Sequence, residues 1–326
     1  MSTKFSTLPV SEVNYAQTME TVVEPFLAAR RTKTTFPGFD GAPISYEAYP
    51  AENAVATVVI VHGYTESAEK FREMSYYFLM MGLNVFAIDN RGHGNSARRN
   101  SDDPQTVTIG RFTDYVEDLQ TFVTTVVRPA YPDLPLYVYA HSMGGAITVQ
   151  HLQTYPGVFE RAILSAPMIM PKMPLPIPAA KALADTSILL GKGDERVFVF
   201  HGFNPDATFE TSNDTSKARF DYYHAKRLQN PLLQTASASY RWVREAAKVT
   251  KRNLDPKRCA KIQIPVLLFQ PEEDHSVVSE KEDAFIAMVR FGRIVKLRGC
   301  RHEIYASVDD TLLKYLRLIE AFFIDE

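Results

Sequence analysis

A serine flanked by small residues is the clearest candidate for chemistry in this sequence. Residues Tyr137–Ala140 are typical of a β-strand, and Ala146–Leu152, shortly after Ser142, are typical of a helix. A serine on such a tight turn is held in a strained backbone conformation with its hydroxyl exposed, where a histidine can take its proton. The pattern A-x-S-x-G therefore predicts a nucleophile. A serine that caps the N-terminus of the helix is the structural alternative.

An acyl-transfer serine needs a histidine base, and the base needs a carboxylate on its other ring nitrogen. Of the eight histidines, His302 has the best position, because it follows the last predicted strand and precedes the last predicted helix. Asp274 follows another predicted strand in the pattern D-x-x-V, and it is the predicted acid. The neighbouring Glu272 and Glu273 are expected to form an exposed acidic loop.

The same chemistry needs backbone N–H groups that stabilise the oxyanion of the tetrahedral intermediate. The residue after the nucleophile, Met143, is the first predicted donor. The second is Tyr64, which follows His62 and Gly63 directly after the predicted strand Ala56–Val61. The sequence thus predicts an oxyanion hole made by the N–H groups of Tyr64 and Met143.

The elements that must position these residues alternate between strands and helices. The sequence predicts a hairpin at residues 32–36 and 44–49, strands at 56–61, 84–88, 136–140, 161–165, 264–269 and 294–297, and helices at 69–81, 112–127 and 309–323. Strands separated by helices of this length indicate an α/β fold with a mostly parallel, doubly wound sheet. Functional loops then lie at the carboxyl ends of the strands, where every candidate residue is found.

The alternation breaks after Ala166. Residues Pro167–Pro178 contain five prolines and three methionines, a composition that excludes a regular helix or a central strand. We expect an inserted cap at 167–248, between core segments 1–166 (with an N-terminal extension, 1–31) and 249–326. Flexible methionine side chains adapt to ligands of different shape, which predicts substrate contacts by Met168, Met170 and Met173. Packing of this segment on the sheet alone is the alternative.

Composition excludes several classes of function. The chain has 326 residues, 45% of them hydrophobic, and a formal net charge of −2, so bulk attraction to nucleic acid is not expected. Cys259 and Cys300 have neither disulfide-scaffold nor metal-ligand spacing, which predicts no metal site and, for Cys300, a small buried residue. Without a predicted signal peptide or spanning segment, we expect the protein in the cytoplasm, with peripheral contact at the inner membrane left open.

Several motifs together resemble one branch of a known superfamily. They are Val61–Tyr64, Asp89–Ser96, Ala140–Ala146, Leu164–Met168, Asp274–Val277 and Arg301–Glu303. In combination they are similar to the lysophospholipase and monoacylglycerol lipase branch of the α/β-hydrolases. Phe112–Leu119 and Trp242–Glu245 resemble the bacterial lysophospholipase subgroup in particular. The similarity extends from Thr32 to Phe323 and is weakest within the insertion.

The resemblance implies a cofactor-free serine hydrolase with a cap over its site. It assigns Ser142 as nucleophile, His302 as base and Asp274 as orienting acid. Ala140 replaces the first glycine of the general G-x-S-x-G motif, as in the bacterial subgroup. The leading hypothesis is hydrolysis of a lysophospholipid or monoacylglycerol, with contact between the cap and a membrane left open. The alternatives are a small-ester carboxylesterase or amidase with the same triad, and a non-catalytic ligand-binding homologue.

Overall fold

The computed structural model describes residues 4–100 and 102–325. Within these ranges the strands are β1 (Thr32–Pro37), β2 (Pro43–Tyr49), β3 (Ala56–Val61), β4 (Leu83–Ile88), β5 (Thr106–Val107), β6 (Leu136–His141), β7 (Arg161–Ser165), β8 (Ser237–Ala238), β9 (Val266–Pro271) and β10 (Gly292–Leu297). Eight of them form one sheet in the order β1-β2-β4-β3-β6-β7-β9-β10. The first two pairings, β1 with β2 and β2 with β4, are antiparallel, and all later ones are parallel.

Helices cover both faces of this sheet. The α-helices are α1 (Tyr15–Thr18), α2 (Glu24–Ala28), α3 (Arg72–Met80), α4 (Thr113–Phe122), α5 (Arg128–Ala130), α6 (Met143–Thr154), α7 (Ile177–Leu189), α8 (Lys217–Gln229), α9 (Tyr240–Asn253), α10 (Pro256–Cys259), α11 (Ser279–Ile286) and α12 (Asp309–Glu320). Short π-helical turns at Met19–Val23, Val123–Val127 and Ala321–Asp325 continue α1, α4 and α12, and 3-10 turns lie at Ala68–Phe71, Phe209–Thr211, Pro231–Leu233 and Ile304–Ala306. The predicted α/β class with a mostly parallel sheet is confirmed.

The buried strands explain why the sheet needs both helical layers. All six residues of β3 are buried, and successive side chains of a strand point to opposite faces. Val59 and Val61 therefore pack in one core with side chains of α4 and α6. Val58 and Ile60 pack in the other core, with side chains of α3 and α12. This arrangement brings the carboxyl ends of the parallel strands to one edge.

The segment after β7 contains helices that local patterns do not reveal. The proline-rich run ends where α7 begins at Ile177, and Pro178 occupies the first turn of that helix, where its missing N–H is not needed. Residue 248, the expected end of the insertion, lies inside α9. The short strands β5 and β8 pair in parallel and join the loop after β4 to the segment before α9.

The N-terminal extension packs against both the core and α8. The Tyr15 hydroxyl donates to Glu73 on α3 at 2.7 Å, and its ring meets that of Tyr222 on α8 edge-to-face. Arg219 of α8 donates to the carbonyl of Val10 at 2.9 Å.

Among the described residues, no helix combines the length and apolar character needed to cross a bilayer.

Candidate active site

Ser142 lies on a sharp turn between β6 and α6. Its backbone has φ 50° and ψ −116°, a strained conformation for a residue with a side chain. The turn also requires small neighbours. A Cβ on Gly144 would lie 2.1 Å from the carbonyl oxygen of Val61, and one on Gly145 would lie 2.5 Å from the Cβ of Pro167. The glycines thus allow α6 to approach β3 closely enough to present the Ser142 hydroxyl.

His302 joins the serine to a carboxylate. Its Nε2 lies 2.8 Å from Ser142 Oγ, and its Nδ1 lies 2.7 Å from Asp274 Oδ2. The three side chains come from the loops after β6, β9 and β10, and all three are buried. The structure therefore brings together the three residues that the sequence predicts for nucleophile, acid and base.

The Asp274 carboxylate is held by backbone as well as by His302. Its other oxygen accepts hydrogen bonds from the N–H groups of Ser276 at 2.7 Å and Val277 at 2.9 Å. Burial acts to raise the pKa of Asp274, but the contact with His302 and these N–H groups outweighs it and holds the pKa below its usual range. Glu272 and Glu273 are exposed, as the sequence predicts.

The entry to the insertion braces the loop that carries Asp274. The N–H of Lys172 donates to the carbonyl of Ser276 at 2.8 Å, and the N–H of Val278 donates to the carbonyl of Met170 at 3.0 Å. The Lys172 ammonium also donates to the carbonyl of Asp274. The proline-rich run is therefore an extended segment docked on the acid loop.

A second segment of the insertion braces the loop that carries His302. The N–H of Glu303 donates to the carbonyl of Asn213 at 3.2 Å, and the N–H of Ser216 donates to the carbonyl of Ala306 at 3.1 Å. Arg301 donates from its guanidinium to the carbonyl of Ser212 at 3.2 Å. The insertion thus contacts both loops that carry partners of the serine.

The predicted oxyanion donors come from the loop after β3 and from the start of α6. The N–H of Gly63 is occupied by the Glu66 carboxylate, whereas the N–H of Tyr64 makes no hydrogen bond with another described residue. Met143 is the first residue of α6, where backbone N–H groups have no intrahelical partner. The Tyr64 ring packs against Trp242 of α9, with 4.4 Å between centroids, which fixes the loop.

A buried ionic cluster behind this loop was not predicted from the sequence. The Lys70 ammonium donates to Glu303 and lies 3.5 Å from Glu66. Burial acts to raise the pKa of Glu303, but the Lys70 charge and a hydrogen bond with Asp214 lower it below the usual range. Glu66 also accepts from the Tyr305 hydroxyl. Glu66 follows Gly63 by three residues within the same turn. An acid at that position is the sequence signal that could have indicated its role.

The other histidines near the site have structural partners. His62 Nε2 accepts the N–H of Asn90 at 2.8 Å, and burial lowers the pKa of His62 to about 4. His141 Nδ1 lies 3.1 Å from the carbonyl oxygen of Ser165, and burial holds its pKa well below the ordinary value. Because its pKa is lowered, each ring is a weak base, and neither is a candidate to take the serine proton.

Comparisons with known proteins identify the family of this chain. The family model Hydrolase_4, described as serine aminopeptidase, S33, matches residues 52–309. Lysophospholipase L2 of Escherichia coli strain K12 is 30% identical over 312 residues, covering 90% of this chain and 88% of that protein. The chain belongs to the lysophospholipase and monoacylglycerol lipase branch of the α/β-hydrolases. The resemblance drawn from the sequence motifs is confirmed.

One further relative agrees with this assignment, and a solved structure agrees with the fold. The monoacylglycerol lipase of Mycolicibacterium smegmatis is 33% identical over 144 residues, which cover 44% of this hydrolase and 49% of that protein. The fold matches a crystal structure of a soluble variant of monoglyceride lipase from Saccharomyces cerevisiae in complex with a substrate analogue. That match has a TM-score of 0.71 at 18% identity and covers 90% of this chain and 96% of the other.

The three methionines predicted to contact substrate differ in position. Met168 is 4% exposed in the core, and its N–H donates to the carbonyl of Ser142 at 2.8 Å. Met170 is half-buried and holds the acid loop through its carbonyl. Met173 lines an apolar hollow of about 40 Å³, together with Leu175, Ala180, Leu183, Phe200 and Val243, among others. Of the three, only Met173 lines this hollow.

The described residues contain no group of three or more His, Cys, Asp or Glu side chains arranged to hold a metal ion. Both cysteines are free and buried, and burial raises the pKa of Cys300 to about 11. Cys300 is therefore a protonated thiol near pH 7, in agreement with its predicted structural role.

Proposed function

We propose that this hydrolase cleaves the single acyl ester of a lysophospholipid or monoacylglycerol through an acyl-Ser142 intermediate. The observation that carries the proposal is the pair of hydrogen bonds, 2.8 and 2.7 Å long, through which His302 joins Ser142 to Asp274. The substrate class is supported by the relatives named lysophospholipase L2 and monoacylglycerol lipase.

In the first half of the reaction, Ser142 Oγ attacks the ester carbonyl carbon while His302 Nε2 takes the hydroxyl proton. Asp274 holds the proton on Nδ1 and stabilises the imidazolium. The N–H groups of Tyr64 and Met143 donate to the oxyanion. The intermediate collapses as His302 returns its proton to the leaving oxygen, and the glycerol-containing alcohol departs. The acyl group remains bonded to Ser142.

In the second half, water replaces the alcohol. His302 takes a proton from the water as its oxygen attacks the acyl carbon, and it then protonates Ser142 Oγ as the fatty acid leaves. Each proton removed is returned, so the cycle needs no cofactor. The acyl chain lies against the apolar hollow lined by Met173, Leu183 and Val243.

Two measurements on the purified protein test the proposal. A fluorophosphonate probe should label Ser142, which peptide mass spectrometry identifies directly. Hydrolysis of monoacyl esters from two to eighteen carbons should become faster with chain length, because each buried CH₂ contributes up to about 0.8 kcal/mol. A preference for two- to four-carbon esters would replace the lysolipase proposal with a small-ester carboxylesterase, and labelling elsewhere would remove Ser142 as nucleophile.

Exposed apolar side chains in the segment after β7 support peripheral contact with lipid. Among the described residues they include Leu175, Leu189, Leu190, Phe198 and Val199, which are 41–87% exposed. Exposed apolar side chains favour burial in another apolar phase. Sedimentation with phosphatidylethanolamine–phosphatidylglycerol vesicles should retain the wild type, whereas the Leu190→Ser/Phe198→Ser variant should remain in the supernatant. Equal recovery of both proteins would contradict the contact.

A further inference from the structure

A cavity lined by many charged side chains lies beside the site. It has a volume of about 250 Å³ and lies between α8, the N-terminal extension and the loop before α3. Thr65, which follows the oxyanion residue Tyr64, and Glu303, which follows His302, both line it. The inference drawn from this cavity rests on the proposed function, because it concerns the part of the substrate that leaves with the alcohol.

Most charges in this cavity are paired within the protein. Lys70 pairs with Glu303, Arg72 with Glu69, and Arg219 with Glu73. Lys226 pairs with Glu24 and lies 3.5 Å from Glu69. Asp214 lies beside Glu303, and burial together with that neighbouring charge raises the pKa of its carboxyl well above the usual range. The other acids that line the cavity are paired with cations.

Arg227 is the exception among these cations. Within the described ranges, no carboxylate lies within 4 Å of its guanidinium. Its Nε donates to the carbonyl of Leu233 and its Nη2 to that of Thr235, both at 3.1 Å, and it lies over the Phe203 ring at 4.5 Å. Its Nη1 makes no hydrogen bond with another described residue. The guanidinium is therefore held in place by neutral groups, with no carboxylate of the described residues in contact and part of its donor capacity unused.

A hydroxyl with no protein acceptor lies on the same helix. The Tyr223 side chain is four residues before Arg227, so the two are neighbours on one face of α8, and both line the cavity. The buried Tyr223 hydroxyl has no hydrogen bond of good geometry with another described group. An unpaired cation and an unused hydroxyl donor on one cavity wall are the groups that bind a phosphate.

The position of the cavity indicates which part of the substrate enters it. His302 delivers its proton to the leaving oxygen, so the alcohol must lie on the side of His302 during cleavage. Glu303, the next residue, lines the cavity. We propose that Arg227, assisted by Tyr223, binds the phosphate diester of a lysophospholipid headgroup and so selects phosphate-containing esters over neutral monoacylglycerols.

The test compares two substrates with the same acyl chain, 1-palmitoyl-glycerophosphoethanolamine and 1-palmitoylglycerol. Arg227→Gln should lower kcat/KM for the phospholipid about 10- to 100-fold, the range expected for a lost charge-assisted hydrogen bond. It should change the value for palmitoylglycerol less than twofold. Lys226→Gln is the matched control, because Lys226 is the adjacent cation in the same cavity but is already paired; both substrates should change equally and less than threefold.

Two results would overturn the inference. An equal loss on both substrates would mean that Arg227 only holds the chain at Leu233 and Thr235, and no loss on either would mean that it does not contact substrate. If Arg227→Gln fails to fold, inhibition of the wild-type protein tests the inference instead. Glycerophosphoethanolamine should compete with palmitoylglycerol at a concentration at least tenfold lower than glycerol does, and equal inhibition by the two would overturn the inference.

The proposed function and this inference can fail separately. A wild type that hydrolyses neither palmitoyl ester contradicts the proposed function. Calorimetric titration of that protein with glycerophosphoethanolamine still tests the cavity, since binding that is lost in Arg227→Gln and kept in Lys226→Gln supports the phosphate site. Absence of binding to the wild type would overturn it.

Discussion

The carboxyl edge of the central sheet and the inserted segment both build the site, but they contribute different groups. The sheet edge supplies the side chains proposed to react, Ser142, Asp274 and His302, each in a loop after a strand. The insertion supplies backbone contacts that brace two of these loops, and it lines two cavities of opposite character. One is apolar near Met173, and the other is charged near Arg227.

This contrast separates the chemistry from the choice of substrate. A change in a reacting group should affect every ester alike, because every ester must pass through the same proton transfers. A change in a cavity wall should affect only esters that contact that wall. The following substitutions, ordered from the largest expected effect to the smallest, can confirm or contradict this separation.

Ser142→Ala should lower kcat on all esters by about 10⁴ to 10⁶. The hydroxyl acts in the reaction and alanine is close in size, so the melting temperature should change little. Steady-state hydrolysis and thermal denaturation of the purified variant measure the two effects. Retention of a tenth of the wild-type rate would exclude Ser142 as nucleophile.

Asp274→Asn should lower kcat by about 10⁴, because an amide favours the wrong tautomer of His302. Glu273→Gln is the control in the same loop, since Glu273 is exposed, and its kcat should stay within a few-fold of the wild type. The loss in Asp274→Asn should be the same for short and long esters. A loss confined to one chain length would assign Asp274 to substrate binding instead.

Met173→Ser should lower the ratio of kcat/KM for a sixteen-carbon ester to that for a four-carbon ester by about 3- to 30-fold. The change removes apolar surface from the hollow, where each buried CH₂ contributes up to about 0.8 kcal/mol. Val55→Ser is the control, because Val55 is 56% exposed, lies in the loop before β3 and does not line the hollow. An unchanged ratio in Met173→Ser would place the acyl chain elsewhere.

Glu282→Gln tests a buried acid of the core that takes no part in the reaction. Burial raises the pKa of Glu282 from 4.5 to about 9, the Asp274 charge adds to the rise, and a hydrogen bond from Gln270 opposes it. The folded protein therefore keeps a proton that the unfolded chain releases. The stability that Glu282 contributes is complete below about pH 4.5 and is lost as the pH rises towards 9.

The substitution should thus raise the free energy of unfolding at pH 8 by about 1–3 kcal/mol and have almost no effect at pH 4.5. Urea denaturation at the two pH values measures the difference. At pH 8 the kcat for both short and long esters should remain within threefold of the wild type. A variant that is less stable than the wild type at pH 8 would show that Glu282 is ionised in the folded protein.

The core elements could be predicted from the sequence because their signals are local. The β-branched run Ala56–Val61 predicts a strand buried on both faces, and Pro37–Gly41 predicts the turn of a hairpin; both elements are present. The candidate triad could be located for the same reason. Each of its members follows a recognisable strand, and parallel strands bring such loops to one edge.

Local signals in the segment between β7 and β9 are weaker. Helix α8 is rich in charged and aromatic residues, and its packing partners, Tyr15 and Glu73, lie far away in the chain. The two short strands that join the insertion to the core, β5 and β8, have two residues each, too few for a periodic pattern. The helices α7 and α8 were therefore not predicted.

By itself, the sequence determined the eight strands of the large sheet and the residues proposed for nucleophile, acid and base. The tertiary structure decided how the loops are braced, where the ionic cluster of Lys70 and Glu303 lies, and that Arg227 faces a polar cavity without a carboxylate partner. Lys70 and Glu303 are 233 residues apart. Such contacts form only when segments that are distant in the chain fold together, so no local pattern of residue types predicts them.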